Sequence, residues 1–251
     1  MAGHAFVLHL PRATARRDNA RAVLAECGID GEIWPAVDGG ALSSTDLAAC
    51  VGAQLFAPAY PFGLSAGEIG RFLSHRQVWA EIVRRDLDFG LILEDDAALV
   101  PDLYENALRL ALANIDTLGL IQFQTRPPDG PVTLVDTAGG CVLGVPQEAG
   151  LRSTALMAGW DAADHLLRLT ESFDRPVDTF LQSHWHTGLR PAAIHPSGVS
   201  DIADTLEDPT MQGRAHGVLE NLRREWAGYR YRRGVARASR ESGAPVQGGL
   251  A

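Results

Sequence analysis

The stretch Phe89-Gly90-Leu91-Ile92-Leu93-Glu94-Asp95-Asp96 joins a short apolar run to three consecutive carboxylates. An apolar run of this length suits a buried strand, and a buried strand cannot hold three adjacent negative charges without something positive nearby. The acids therefore mark a strand end. In open α/β sheets, ligands bind outside the carboxyl ends of the strands. Carboxylates gathered there suit a hard divalent cation that also holds phosphate oxygens, as a nucleotide diphosphate would supply. An acidic strand-to-loop corner facing water is the alternative, and these residues alone leave both open.

A chain of 251 residues has room for one large α/β domain or two small ones. It has no apolar run near the roughly 18 residues that span a bilayer, and no long apolar core of a signal peptide at its start. A cytoplasmic location is the expectation. Cys27, Cys50 and Cys141 are odd in number and widely spaced, which points to small buried hydrophobes rather than disulfides or a metal site. Charge is uneven. Residues 1–213 carry 14 Arg against 28 Asp and Glu, whereas residues 214–251 carry 8 Arg against 3 Glu. An acidic body argues against nucleic acid as a partner. The basic segment mixes Arg223, Arg224, Arg230, Arg232 and Arg233 with Trp226, Tyr229 and Tyr231. It reads either as a peripheral contact with an anionic membrane, on the inner face, or as a C-terminal helix docking Leu219, Leu222 and Trp226, with fraying from Gly234 onward.

Along the chain, residues 5–10 read as a strand, Thr14 to about Cys27 as a helix stopped by Gly28, and Glu32-Ile33-Trp34 as a second strand, together a parallel βαβ unit. Ser65-Ala66-Gly67-Glu68 has capping-box spacing and opens a helix through Val83. A helix from Pro101 to about Asn114, a strand at 118–123, a hairpin at 132–145 turning at 136–140, a strand at 155–157 and a helix at 160–169 follow. The alternation favours one α/β domain with a mostly parallel central sheet flanked by helices and a late antiparallel part.

Four blocks carry a resemblance: Phe6-Val7-Leu8-His9-Leu10 with Arg12 and Arg16-Arg17; Ala36-Val37-Asp38-Gly39; Gly67-Glu68-Ile69-Gly70-Arg71-Phe72-Leu73-Ser74-His75 with Trp79; and Leu91 to Asp96. In this order and spacing they resemble glycosyltransferase family 25, which includes bacterial lipooligosaccharide sugar transferases and collagen galactosyltransferases. Pro176-Val177-Asp178-Thr179-Phe180-Leu181 adds a weaker match. The resemblance implies a GT-A-like domain over residues 1–213, with residues 214–251 as a basic, aromatic C-terminal helix and tail. It further implies a UDP-sugar donor, a divalent metal (Mn²⁺, or Mg²⁺), inversion at the anomeric carbon, and a galactose or glucose passed to a glycan acceptor on lipid, in lipopolysaccharide or lipooligosaccharide biosynthesis.

By the same resemblance, Asp96 and Glu94 contact the metal and Asp95 the ribose or a neighbouring arginine. Leu10 and Arg12 lie where the nucleotide would sit, with Arg12, Arg16 or Arg17 able to meet a diphosphate through paired N–H donors. Asp38 is a candidate for uracil or ribose, or for ordinary turn chemistry. Ser74 and His75 are donor-site candidates on the helix before the acidic strand. Asp178 is the candidate general base, its alternative being a helix N-cap. His195, ending the run Ala192-Ala193-Ile194, is a further metal candidate. Three departures from the family pattern stand out: His9 and Pro11 where Asn and Asp are usual, Arg71 as a tolerable replacement for a common cysteine, and no tyrosine in 154–159. Two other classes compete, a catalytically silent protein that binds a glycan or partner and a metal-dependent phosphohydrolase.

Overall fold

The structure, a computed structural model, describes residues 1–206 and 218–243. Ten strands and nine α-helices lie among them: β1 (Gly3–His9), α1 (Arg17–Glu26), β2 (Gly31–Pro35), α2 (Ser44–Cys50), α3 (Ala66–Arg84), β3 (Phe89–Glu94), β4 (Ala97–Leu99), α4 (Pro101–Leu118), β5 (Leu120–Phe123), β6 (Val132–Ala138), β7 (Cys141–Pro146), β8 (Ala155–Gly159), α5 (Trp160–Leu169), α6 (Val177–Gln182), α7 (His184–Thr187), β9 (Ala192–His195), β10 (Val199–Asp201), α8 (Ala203–Leu206) and α9 (Val218–Glu241).

Eight strands form one sheet in the order β2-β1-β3-β8-β5-β9-β7-β6. Strands β2, β1, β3, β5, β9 and β6 run one way, and β8 and β7 run against them. The sheet is thus mostly parallel with antiparallel additions, as the alternation of elements implies. Central strands covered on both faces read as continuous apolar runs, and alternate residues of β1 show why. Ala5 and Val7 face a core with Leu91, Leu93, Met157 and residues of α1 and α4, while Phe6 and Leu8 face a second core with Ile92, Phe72, Trp79 and Phe180. Removing one of these aromatic anchors, as in Phe72→Ala, costs about 3–5 kcal/mol.

The capping box at Ser65 forms as its spacing predicts, Ser65 accepting from the Glu68 amide and Glu68 from the Ser65 amide. Helix α4 runs four residues past the expected end, to Leu118, and stops at Gly119, whose φ of 69° is left-handed. Thr14 caps nothing; it opens a short 3₁₀ turn ahead of α1. The hairpin turn is tighter than expected, with β6 continuing to Ala138 and only Gly139 and Gly140, both at positive φ, between the strands. Cys27 and Cys141 are buried and all three cysteines are free.

Two C-terminal expectations are corrected. Helix α9 does not fray at Gly234 but continues to Glu241, because Val235 and Ser239 are buried and Gln147 donates to both the carbonyl (2.8 Å) and the hydroxyl (3.0 Å) of Ser239. Trp226 is not a docking residue: it is 61% exposed, and Tyr231 and Val235 take that part. The expected docking of Leu219 and Leu222, and residues 207–217 and 244–251, lie outside what the structure describes.

Candidate functional site

Strand β3 ends at Glu94, and the next two acids form the turn into β4. The backbone of this turn is held from three sides. The Asp95 amide donates to Leu8 O (3.1 Å), the Glu94 amide to Thr154 O (3.0 Å), and the Ile202 amide to Asp96 O (2.9 Å). Asn19 Nδ2 on α1 bridges Asp95 O and Ala97 O at 2.8 and 2.9 Å. The chain then enters β4, which pairs antiparallel with β10.

Each carboxylate finds a positive or polar partner, Asp95 and Asp96 sharing Arg16, as burial demands. Asp95 is 2.7 Å from His9 Nδ1 and 3.2 Å from Arg16 Nη1. Asp96 Oδ2 accepts from the same Arg16 nitrogen at 2.7 Å, while its buried Oδ1 has no partner among the described residues. Glu94 Oε1 lies 2.5 Å from Arg71 Nη2. Burial pushes the Glu94 carboxyl up to about 7; Arg71 opposes this, and Asp96 and Asp178 reinforce it. Burial likewise raises Asp96 against the pull of Arg16.

These acids line a cavity of about 610 Å³ with Leu10, Arg12, Arg16, Asp38, Arg71 and Ser74, within the size range of small-molecule sites. Arg12 Nε donates to Asp38 Oδ2 at 2.6 Å across the rim, holding the Asp38 carboxyl below the usual range. Asp38 also accepts from the Gly40 amide, which is the turn chemistry, while it lines the cavity. Ser74 ties α3 to the neighbouring loop, donating to Gly70 O and accepting from the Val37 amide, both at 2.8 Å. A side chain at Gly39 or Gly70 would collide with Ala66 O or Val37 O, so loop 36–40 lies directly on α3. Two of the sequence blocks are therefore one packing contact.

The remaining candidates sit elsewhere. His75 is fully buried, neither ring nitrogen has a hydrogen-bond partner among the described residues, and it does not line the cavity. Burial and the nearby Arg71 charge lower it to about 3, so it is neutral. The direct donor contact expected of it is not formed. His195 ends β9, pairs in register with Val142, and is absent from the cavity wall, so the expected grouping with Glu94 and Asp96 does not arise. Asp178 is not an N-cap; it lies in the first turn of α6, after the N-cap Pro176, and accepts from the Thr179 amide at 2.7 Å. Its carboxyl is raised by burial, against Arg71, and it acts in turn on Glu94 and Arg71. Like His75 and His195, it is absent from the wall of the acidic cavity.

Among the described residues, no three His, Cys, Asp or Glu stand close enough to cage a metal ion. A Mg²⁺-type site needs only one or two carboxylates, with phosphate and water completing the shell. The unpartnered Asp96 Oδ1 fits that requirement, whereas Glu94 is paired with Arg71.

Arg71 is more than a tolerable replacement: it is the cation at the centre of this site. His9 in turn supplies a polar contact of its own, to Asp95. Gly67, Arg71 and Ser74 fall on one helical face, a spacing that identifies Arg71 once Ser74 is placed.

Residues 2–126 match the model of glycosyltransferase family 25 (LPS biosynthesis protein). Over 110 residues the chain is 40% identical to a glycosyltransferase 25 family member of Drosophila melanogaster, covering 42% of this chain and 18% of that protein. Over 116 residues it is 38% identical to human procollagen galactosyltransferase 2, covering 44% and 18%. Through residues 2–126 the chain belongs to glycosyltransferase family 25. The match spans less than a fifth of these relatives' length. Among solved structures, a glycosyltransferase involved in glycosylation of the PBCV-1 major capsid aligns over 74% of this chain and 68% of its own, at 9% identity and a TM-score of 0.34.

Proposed function

We propose that this chain is a metal-assisted, inverting glycosyltransferase that moves a hexose from a UDP-sugar to a glycan acceptor. One observation carries the reading: three carboxylates at the carboxyl end of a central strand share a cavity with Arg12, Arg16 and Arg71, a setting that suits a diphosphate and its counter-ion. Arg12 and Asp38 at the rim hold the nucleoside end, and Arg16 and Arg71 meet the phosphate oxygens. Asp96, with Glu94 in support, would hold Mn²⁺ or Mg²⁺, which would offset the charge that builds on the leaving diphosphate. Asp178 takes the acceptor hydroxyl proton. As it does so, the acceptor oxygen bonds the sugar carbon on the face opposite the diphosphate, and the bond to UDP breaks with its electron pair leaving on phosphate. A carboxyl raised by burial is a better proton acceptor than an ordinary one.

Helix α9 supports an acceptor carried on lipid. Trp226 and Tyr229 are exposed, with Arg230 over the Trp226 ring (4.8 Å) and Arg233 over that of Tyr229 (5.7 Å), a pairing suited to an anionic headgroup layer. No described helix is long and apolar enough to cross a membrane.

The test is a UDP-sugar hydrolysis and thermal-shift screen with Mn²⁺ and Mg²⁺. UDP with metal raises the melting temperature, and Asp96→Ala abolishes the rise; no shift at millimolar UDP sinks the reading. A second reading, binding without turnover, draws on 41% identity over 96 residues to the human protein named inactive glycosyltransferase 25 family member 3. Release of UDP from a UDP-sugar eliminates it.

A further inference from the structure

A second cavity, of about 540 Å³, is lined in part by Thr179, the residue after Asp178. Three aromatic rings wall it: Tyr60 meets Phe62 edge-on at 5.5 Å and Tyr231 edge-on at 5.4 Å. Gln124 and Gln182, both nearly buried, line it as well. Gln124 donates to Gln122 Oε1 (2.8 Å) and Arg152 O (3.5 Å), which leaves its carbonyl oxygen, while Gln182 donates to Ala149 O (2.7 Å) and keeps a second N–H and its carbonyl oxygen. Charges of both signs stand on the wall, Arg126 and Arg232 with Asp129 and Glu148. A second nucleotide would meet carboxylates there. A neutral polyhydroxylated ring meets what it needs: aromatic surface for its C–H faces, and mixed donors and acceptors for its hydroxyls.

Asp178 lines neither cavity but is tied to both. Asp178 Oδ1 binds the amide of Thr179 (2.7 Å), and Thr179 lines the second cavity. Asp178 also acts electrostatically on Tyr60 in the second cavity and on Arg71 and Glu94 in the first. A base that takes a proton from one substrate while it attacks the other belongs between them.

We infer that this second cavity is the acceptor site, that it takes a neutral terminal sugar, and that α9, through Gly228, Tyr231 and Arg232, selects which one. This rests on the glycosyltransferase reading and goes beyond it, since α9 lies wholly outside residues 2–126. The wall is fixed by a buried lock. Arg175, fully buried, pairs with Asp174 through Nε (2.7 Å) and Nη2 (2.9 Å), lies 3.5 Å above the Phe56 ring, and donates to the Tyr231 hydroxyl at 3.3 Å. It ties α9 to the loop that carries Tyr60.

At Gly228 an added Cβ would sit 3.6 Å from Phe62 and 3.4 Å from Arg232 Nη1, so alanine fits and leucine fills space above Phe62. The experiment titrates p-nitrophenyl β-glycosides of galactose, glucose and N-acetylglucosamine into the UDP- and Mn²⁺-loaded protein, reading binding by saturation-transfer NMR. At least one glycoside binds the wild type, and Gly228→Leu weakens it by about tenfold or more. Arg232→Glu, at an exposed position where folding is unaffected, weakens it too, and Arg237→Ala on the solvent side of α9 changes nothing. Loss of the UDP thermal shift in the wild type defeats the underlying glycosyltransferase reading. A normal UDP shift with no glycoside bound, or with equal binding in both cavity variants, defeats the acceptor site alone. Gelatin that binds the wild type and is lost in the same variants overturns the sugar assignment in favour of a protein acceptor.

Discussion

The two cavities are built on different physical terms. The first is organised by charge: Glu94, Asp95 and Asp96 are each held by an arginine or a histidine, and the backbone beneath them is pinned to β1, β8 and α1. The second is organised by shape: rings at right angles, two buried amides, and one wall supplied by a helix from the far end of the chain. A leaving diphosphate carries the same charge whatever sugar it bears, so a charged site can be spelled by a few residues at fixed spacing. A surface that selects among sugars depends on contour, and contour comes from packing.

The strongest way to break this contrast is at the seam. Asp178→Asn removes the base but keeps the shape, so transfer should fall by about 10²–10⁴-fold while the UDP and Mn²⁺ thermal shift persists. A change in UDP binding as large as the change in rate would move Asp178 into the charged site instead.

Next in size is the acid response of the core beside that site. His75 and His184, lowered by burial to about 3 and about 4, stay neutral in the folded chain while the unfolded chain protonates near 6.5. Stability is therefore lost as pH falls below 6.5 toward 4, by about 1.4 kcal/mol per pH unit for each residue. His75→Leu removes two unpartnered ring nitrogens, and its melting temperature should fall less between pH 6.5 and 4.5 than that of the wild type. Parallel curves would show His75 to be ionised or solvated.

A third effect has the opposite sign. Glu94 is raised to about 7, so its contribution is present below its ordinary range near 4.5 and is lost as pH rises through about 7. Metal-free Glu94→Gln should melt above the wild type at pH 8 and alongside it at pH 5. A difference that grows toward acid would mean that Arg71, not burial, governs this carboxyl.

The smallest effect belongs to the outer face of α9. Trp226→Ala should leave the melting temperature within about 1 °C, because the ring is exposed, yet reduce sedimentation with vesicles of phosphatidylglycerol. Unchanged sedimentation would return that face to plain solvent exposure.

The blocks that reveal the charged site lie close together in sequence and recur at strand ends and helix starts, where local rules hold. The Ser65 capping box, the βαβ start and the acidic strand end follow from spacing alone. His75 shares its block with Ser74, but only packing shows that Ser74 faces loop 36–40 while His75 turns into the core. Arg71 is legible as an odd residue and not as a cation shared by Glu94 and Asp178, because α6 joins that site from a distant part of the chain. Tyr60, Gln124, Gln182 and Tyr231 carry no motif, and nothing in their spacing brings them to one wall.

The sequence by itself determined the sheet's central strands, the helix entries and the carboxylates at the end of β3, because period, capping and charge burial act over a few residues. Tertiary structure decided which cation meets which acid, that Thr179 beside Asp178 lines the second cavity, and that α9 supplies one of its walls. Those depend on where distant segments pack, and the Arg175 lock that fixes α9 forms only when residues 56, 174 and 231 meet.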